Sequence, residues 1–311
     1  MIVINTLIPL VCMVILGAVL ERTRFAGKGF FRQTNRLVFW VGLPCLLFYK
    51  TARSHDTVTG VFSLFLVLFA GMVLCIAAGY AAAFLFRLPR KSLGAFVQGA
   101  FRGNLAYVGL PLVLFALNEA GDGVTTARAF LVIAPMIPLY NCAAVIILLA
   151  GRGDENASFR GQVRAIIVKT ATNPLFLSVT AGFLWSLTGW PVPACAARTL
   201  EGIGRMSLPL ALLGVGASLD FSMLQGRIGA CAAAAVIKVG IAPLSGFLIG
   251  VLMELTRTEL GIVMIYLACP TAVASYVMAD QMDADSLLAS GIIVMSILLA
   301  VPALSLVLLT V

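Results

Sequence analysis

Phe101-Arg102-Gly103-Asn104-Leu105-Ala106-Tyr107-Val108-Gly109-Leu110-Pro111-Leu112 sets an arginine, an asparagine, two glycines and a proline inside an otherwise apolar stretch. A second stretch behaves alike: Tyr266-Leu267-Ala268-Cys269-Pro270-Thr271-Ala272-Val273-Ala274-Ser275-Tyr276. Proline removes an N–H donor and clashes with the carbonyl of the preceding turn. In hydrocarbon the freed backbone groups need partners, so a broken helix is tolerated only against protein or a wet cavity. A break also creates new helix ends. The halves expected to begin after Pro111 and Pro270 present N–H groups and positive dipole ends, which suit an anion. The carbonyl ends before each break suit a cation or a donor.

The candidate binding residues follow from those breaks. Backbone groups come from Gly109, Leu110, Pro111 and Leu112 on one segment and Cys269, Pro270 and Thr271 on the other. Asn104 precedes Pro111 by seven residues, about 10 Å of helix, and its amide can donate to a carboxylate. Ser275 and Tyr276 offer similar donors.

Composition supplies the setting. Of 311 residues, 61% are hydrophobic and 11% charged, and the mean hydropathy is +1.06. A soluble domain carries roughly 25% charged residues. A bilayer crossing needs about 20 apolar residues, and ten segments qualify: 3–20, 34–50, 61–86, 95–117 and 127–150, then 165–189, 203–219, 229–252, 259–279 and 287–309. The expected fold is an all-α polytopic membrane protein. It has a first five-helix repeat at 1–150, a cytoplasmic linker at 151–164 and a second repeat at 165–311, all in one membrane domain.

Proline spacing suggests the repeat. Pro9 and Pro44 lie 35 residues apart, as do Pro174 and Pro209, and the two pairs are offset by 165. Pro111 and Pro270 follow at an offset of 159. An odd number of helices per half inverts the second half, giving an inverted-topology repeat. Lys and Arg concentrate in one set of loops, from Arg22 to Arg36, Arg87 to Lys91, Arg152 to Arg164 and at Arg227. Those loops are expected to face the cytoplasm, with both termini outside.

The net charge of +8 is then an orientation and headgroup signal rather than a nucleic-acid footprint. Lys238 lies mid-span, where a charge has a coupling or charge role by default. Arg102 and Lys169 are expected at headgroups, and Asp280, Asp283 and Asp285 in solvent. Pro9, Pro44, Pro135, Pro138, Pro174, Pro209 and Pro302 are expected only to kink their helices. The seven cysteines are scattered without a CxxC and read as small buried hydrophobes. His55, the single histidine, falls in a loop, and no metal site is expected. No GxSxG, HExxH or Walker A motif occurs, so an enzyme is not expected. There is no basic n-region before the first apolar run, so no cleavable signal peptide is expected.

The chain resembles the auxin efflux carrier family, and its bacterial members most. The resemblance rests on Asn104 through Pro111 with the Asn-x6-Pro spacing, Val41-Gly42-Leu43-Pro44, Asn173-Pro174, and the runs Leu208–Leu219 and Cys269–Ala279. It lacks the long hydrophilic central loop of many plant members, having only 151–164 there. The resemblance implies ten helices in two inverted repeats, with helices four and nine crossing at prolines as in sodium–proton antiporter and bile-acid symporter folds. It also implies a scaffold with a mobile, elevator-like transport unit, and organic anion substrates such as indole-3-acetate, malonate or malate. By position, Asn104 matches the family's substrate-contacting asparagine, and Pro111 and Pro270 its crossover prolines.

The expected function is a secondary carrier or uniporter for a small organic carboxylate in the bacterial inner membrane. Its partners would be that anion and lipid, with a homodimer allowed. No cofactor is expected beyond a coupling ion, H+ or Na+; no carboxylate at mid-membrane argues for either. An anion channel and a membrane-embedded ligand receptor are the alternatives.

Overall fold

Uninterrupted apolar runs become the longest helices. The computed structural model describes residues 2–53, 60–117, 123–152, 172, 174–219, 221–224 and 227–310. The described elements are helices, joined at one point by an isolated β-bridge. Four helical stretches are long and apolar enough to cross a membrane: Val61–Leu85, Ala127–Gly151, Ile228–Leu252 and Ser286–Leu309. They match four of the expected spans to within one residue at each end. His55, Lys169, Asn173 and most of the 151–164 linker lie outside the described residues.

In chain order the first helices are α1 (Ile2–Arg22), α2 (Lys28–Leu37), α3 (Leu43–Ala52), α4 (Val61–Leu85), α5 (Arg90–Phe101), α6 (Leu110–Leu117) and α7 (Gly123–Arg152). There follow α8 (Pro174–Leu187), α9 (Ala194–Ala217), α10 (Ile228–Val236), α11 (Ala242–Leu252), α12 (Arg257–Ala268), α13 (Ala274–Gln281) and α14 (Ser286–Thr310).

Three of the junctions share one device. Widened π-helical turns at Val38–Gly42, Leu105–Gly109 and Ile237–Ile241 run straight into α3, α6 and α11. The second residue of each following helix is a proline: Pro44, Pro111 and Pro243. A proline ring clashes with the carbonyl four residues back. Here those carbonyls belong to Trp40, Tyr107 and Val239, all inside the widened turns. The i→i−5 bonds are explicit where Leu43 N–H donates to Val38 O and Ala242 N–H donates to Ile237 O. The extra residue per turn accommodates the ring without ending the helix.

The chain divides into two compact units. The first comprises 1–62, 106–138 and 167–219. In it α9 packs against α1, α2 and α3, α3 also packs on α8, and α1 touches α6. In lipid, helices associate through close packing rather than hydrophobic drive, and small residues let backbones approach. The α1–α9 contact depends on this: a Cβ at Gly216 would lie 1.8 Å from Val14 O, and one at Gly17 would lie 2.1 Å from Leu213 O.

The second unit comprises 63–105, 139–166 and 220–311. Here α14 is the hub, touching α5, α10, α12 and α13, while α11 packs on α12 and α5 on α10. At one end of this unit Asp285 contradicts the expectation of a solvated loop acid. It accepts from Ser92 Oγ at 2.6 Å, from Leu288 N–H at 3.1 Å and from the Arg227 guanidinium. Its own N–H donates to Lys91 O at 3.1 Å. Burial pushes the Asp285 carboxyl up, and the hydrogen bonds from Ser92, Leu288 and Arg227 outweigh it, holding the carboxyl below its ordinary value. Asp280 and Asp283 are exposed, as expected.

Candidate functional site

The site is a crossing of two interrupted helices within the second unit. The capping box at Thr256 starts α12 cleanly: Glu259 N–H donates to Thr256 Oγ1 at 3.3 Å, and Thr256 N–H returns to Glu259 Oε2 at 3.0 Å. The helix stops at Ala268 because Pro270 disfavours helical geometry at the residue before it; Cys269 is extended, with φ −59° and ψ 145°.

The partner interruption does not sit at Pro111, where the sequence pointed. α5 ends at Phe101, Arg102 turns extended with ψ 96°, and the break is Arg102-Gly103-Asn104. Pro111 lies seven residues later, absorbed by its widened turn.

Each break satisfies the other. Gly103 pairs with Thr271 in the antiparallel bridge. Asn104 N–H donates to Pro270 O at 2.8 Å, and Ala272 N–H donates to Arg102 O at 2.9 Å. This is how exposed backbone survives without water: polar groups freed from two helices pair across the crossing.

The carbonyl ends of the half-helices also find donors. Thr271 Oγ1 donates to Gly99 O at 2.7 Å, near the end of α5. The fully buried Lys238 ammonium donates to Leu267 O, near the end of α12. Lys238 sits in the widened turn before α11. A Cβ at Gly103 would stand 3.1 Å from Lys238 Cε and 3.3 Å from Nζ, so a glycine lets the ammonium reach its carbonyl. Thr271 N–H donates to Ser296 Oγ at 2.9 Å, tying the crossing to α14.

Arg102 departs from its expected place at the headgroups. It is buried, 6% exposed. Its guanidinium donates to Asn141 Oδ1 of α7 at 2.5 Å and to Ser275 Oγ of α13 at 3.4 Å.

Asn104, Cys269, Pro270, Thr271, Ser275 and Lys238 therefore come together, all buried. Tyr276 is 40% exposed. Gly109, Leu110, Pro111 and Leu112 belong to the first unit, where Leu110 and Leu112 are buried core. Sequence reasoning missed Arg102, Asn141 and Ser296 as members. The legible signal was a lone amide and a lone guanidinium inside apolar runs.

A helical chain with membrane-length spans, and a polar crossing of interrupted helices in its second unit, belongs to the class of multi-pass membrane proteins. The family model described as a membrane transport protein matches residues 2–308. The chain belongs to that family, the auxin efflux carriers, and so is of transporter rather than enzyme lineage. An uncharacterized transporter of Methanothermobacter thermautotrophicus is 22% identical, over 97% of this chain and 96% of the relative. An uncharacterized transporter of Methanocaldococcus jannaschii is 20% identical, over 84% of this chain and 83% of the relative.

Proposed function

We propose that the protein is a secondary carrier for a small organic carboxylate, working by alternating access. The observation that carries this reading is the hydrogen-bonded crossing, with Asn104 on one interruption and Pro270 on the other. Irregular backbone at membrane depth is tolerated where it lines a cavity, and half-helix ends there are suited to bind ions. The anion would be held by Asn104, Ser275 and Tyr276, with the backbone on either side of Pro270 contributing N–H groups. Lys238 would supply a fixed positive charge.

The architecture proposed with it is ten spans in two inverted five-helix repeats, 1–150 and 165–311, around a cytoplasmic linker at 151–164. The proline spacing supports it, as do the interruptions in spans four and nine. Transport would be elevator-like, in a bacterial cell membrane with both termini outside, an orientation drawn from the Lys and Arg bias.

Uptake of radiolabelled carboxylates into proteoliposomes tests the reading. Asn104→Ala should fold and lose substrate binding; unchanged uptake removes Asn104 from the site. Slow, saturable flux excludes a channel, and binding without uptake favours a receptor. Imposed proton and sodium gradients separate coupled transport from uniport.

A further inference from the structure

We infer that Arg102 receives the carboxylate of the transported anion. The inference rests on the carrier reading above and names the group on which its anion site is built. Two cations are buried at the crossing, and their surroundings differ. The Lys238 ammonium donates to Leu267 O near the C-terminal end of α12, where the helix dipole supplies roughly half a negative charge. It is compact and already complemented.

The Arg102 guanidinium is held instead by side chains. Its two partners, Asn141 Oδ1 at 2.5 Å and Ser275 Oγ at 3.4 Å, are both neutral. Among the described residues no carboxylate pairs with it. Glu259, the buried acid in this unit, is tied to Thr256 at the opposite end of α12, about 12 Å from Leu267 along the axis.

A buried charge is normally paired. Arginine cannot relieve the cost by losing its proton, so what the guanidinium calls for is an anion. It carries five N–H donors in a planar fork, and two bonds use part of that set. A carboxylate can take two parallel bonds from such a fork. The placement fits, because Arg102 is itself part of the break. Its carbonyl accepts from Ala272, Asn104 is two residues on, and Ser275 belongs to the first turn of α13. An anion that displaces the long bond to Ser275 meets the guanidinium and the hydroxyl together. Recognition of this kind discriminates by charge, favouring an acid over its amide.

The test uses the full chain in proteoliposomes, with radiolabelled malonate and indole-3-acetate as probes and malonamide and indole-3-acetamide as neutral competitors. Wild type should take up one of the acids, and the matching amide should compete poorly. Arg102→Gln should raise KM at least roughly 30-fold, the scale of truncating one partner of a buried charged pair, and should erase the acid-over-amide preference. Asn141→Asp places a carboxylate on the guanidinium from within. It should raise the melting temperature and lose uptake by a similar factor. This variant gains an ion pair, so it tests the assignment even if Arg102→Gln does not fold. Wild-type KM and preference in a folded Arg102→Gln, or wild-type KM in Asn141→Asp, overturns the role of Arg102 and leaves the carrier reading standing. No uptake of any carboxylate by wild type overturns both.

Discussion

Pro111 and Pro270 occupy matching places in the two halves of the sequence and do opposite things. Pro270 ends a helix: α12 stops at Ala268, and the next residues are extended and paired across the crossing. Pro111 ends nothing. It rides at the start of α6 behind a widened turn, as Pro44 and Pro243 do behind theirs. The break in its segment is made by Arg102-Gly103-Asn104, which contains no proline. Pro44, Pro111 and Pro243 follow widened turns and their helices run on, whereas Pro270 follows the ordinary helix α12 and ends it. A break without proline needs hydrogen-bond partners from elsewhere in the fold.

The largest test of this contrast is Pro270→Ala. Alanine permits the helix to run on, pulling Thr271 and Ala272 away from Gly99 O and Arg102 O. Uptake should fall about 100-fold, the loss that a 1 Å misplacement of a binding constellation can cause. Near-normal uptake would mean that the bridge, not the proline, holds the break open. Thr271→Val comes next. It keeps shape but leaves Gly99 O without its donor, which should cost about 1–2 kcal/mol, visible as a lower melting temperature in detergent. No shift would mean that the end of α5 needs no partner from the other segment. The smallest effect is expected for Pro111→Ala. With the break seven residues upstream intact, stability should change by less than about 1 kcal/mol, and uptake should persist. Loss of transport there would restore Pro111 as the working interruption.

The parts of this fold that the sequence revealed are those governed by local rules. Apolar length located the helices at 61–85, 127–151, 228–252 and 286–309, because a bilayer crossing is above all a length requirement. The end of α12 was readable because the residue before proline avoids helical geometry. The break at 102–104 was hidden because Gly103 and Asn104 are compatible with helix. What interrupts them is pairing with Thr271 and Pro270 in the other half of the chain. Arg102 was misplaced for a related reason. Its position near a span end suggested headgroups, and only the arrival of Asn141 and Ser275 makes it an interior group. The widened turns left a trace, Val-Gly-Leu-Pro at both 41–44 and 108–111. That repetition pointed to a shared local shape rather than to two different roles.

The bridge between Gly103 and Thr271 has a mechanical consequence. Its two backbone bonds run in opposite directions, Asn104 to Pro270 and Ala272 to Arg102, so sliding one segment past the other strains both at once. The crossing acts as a rivet through α5, α12 and α13. It resists shear while permitting the three to swing as one piece. In a carrier of this design, whatever carries the anion across would have to carry the rivet whole.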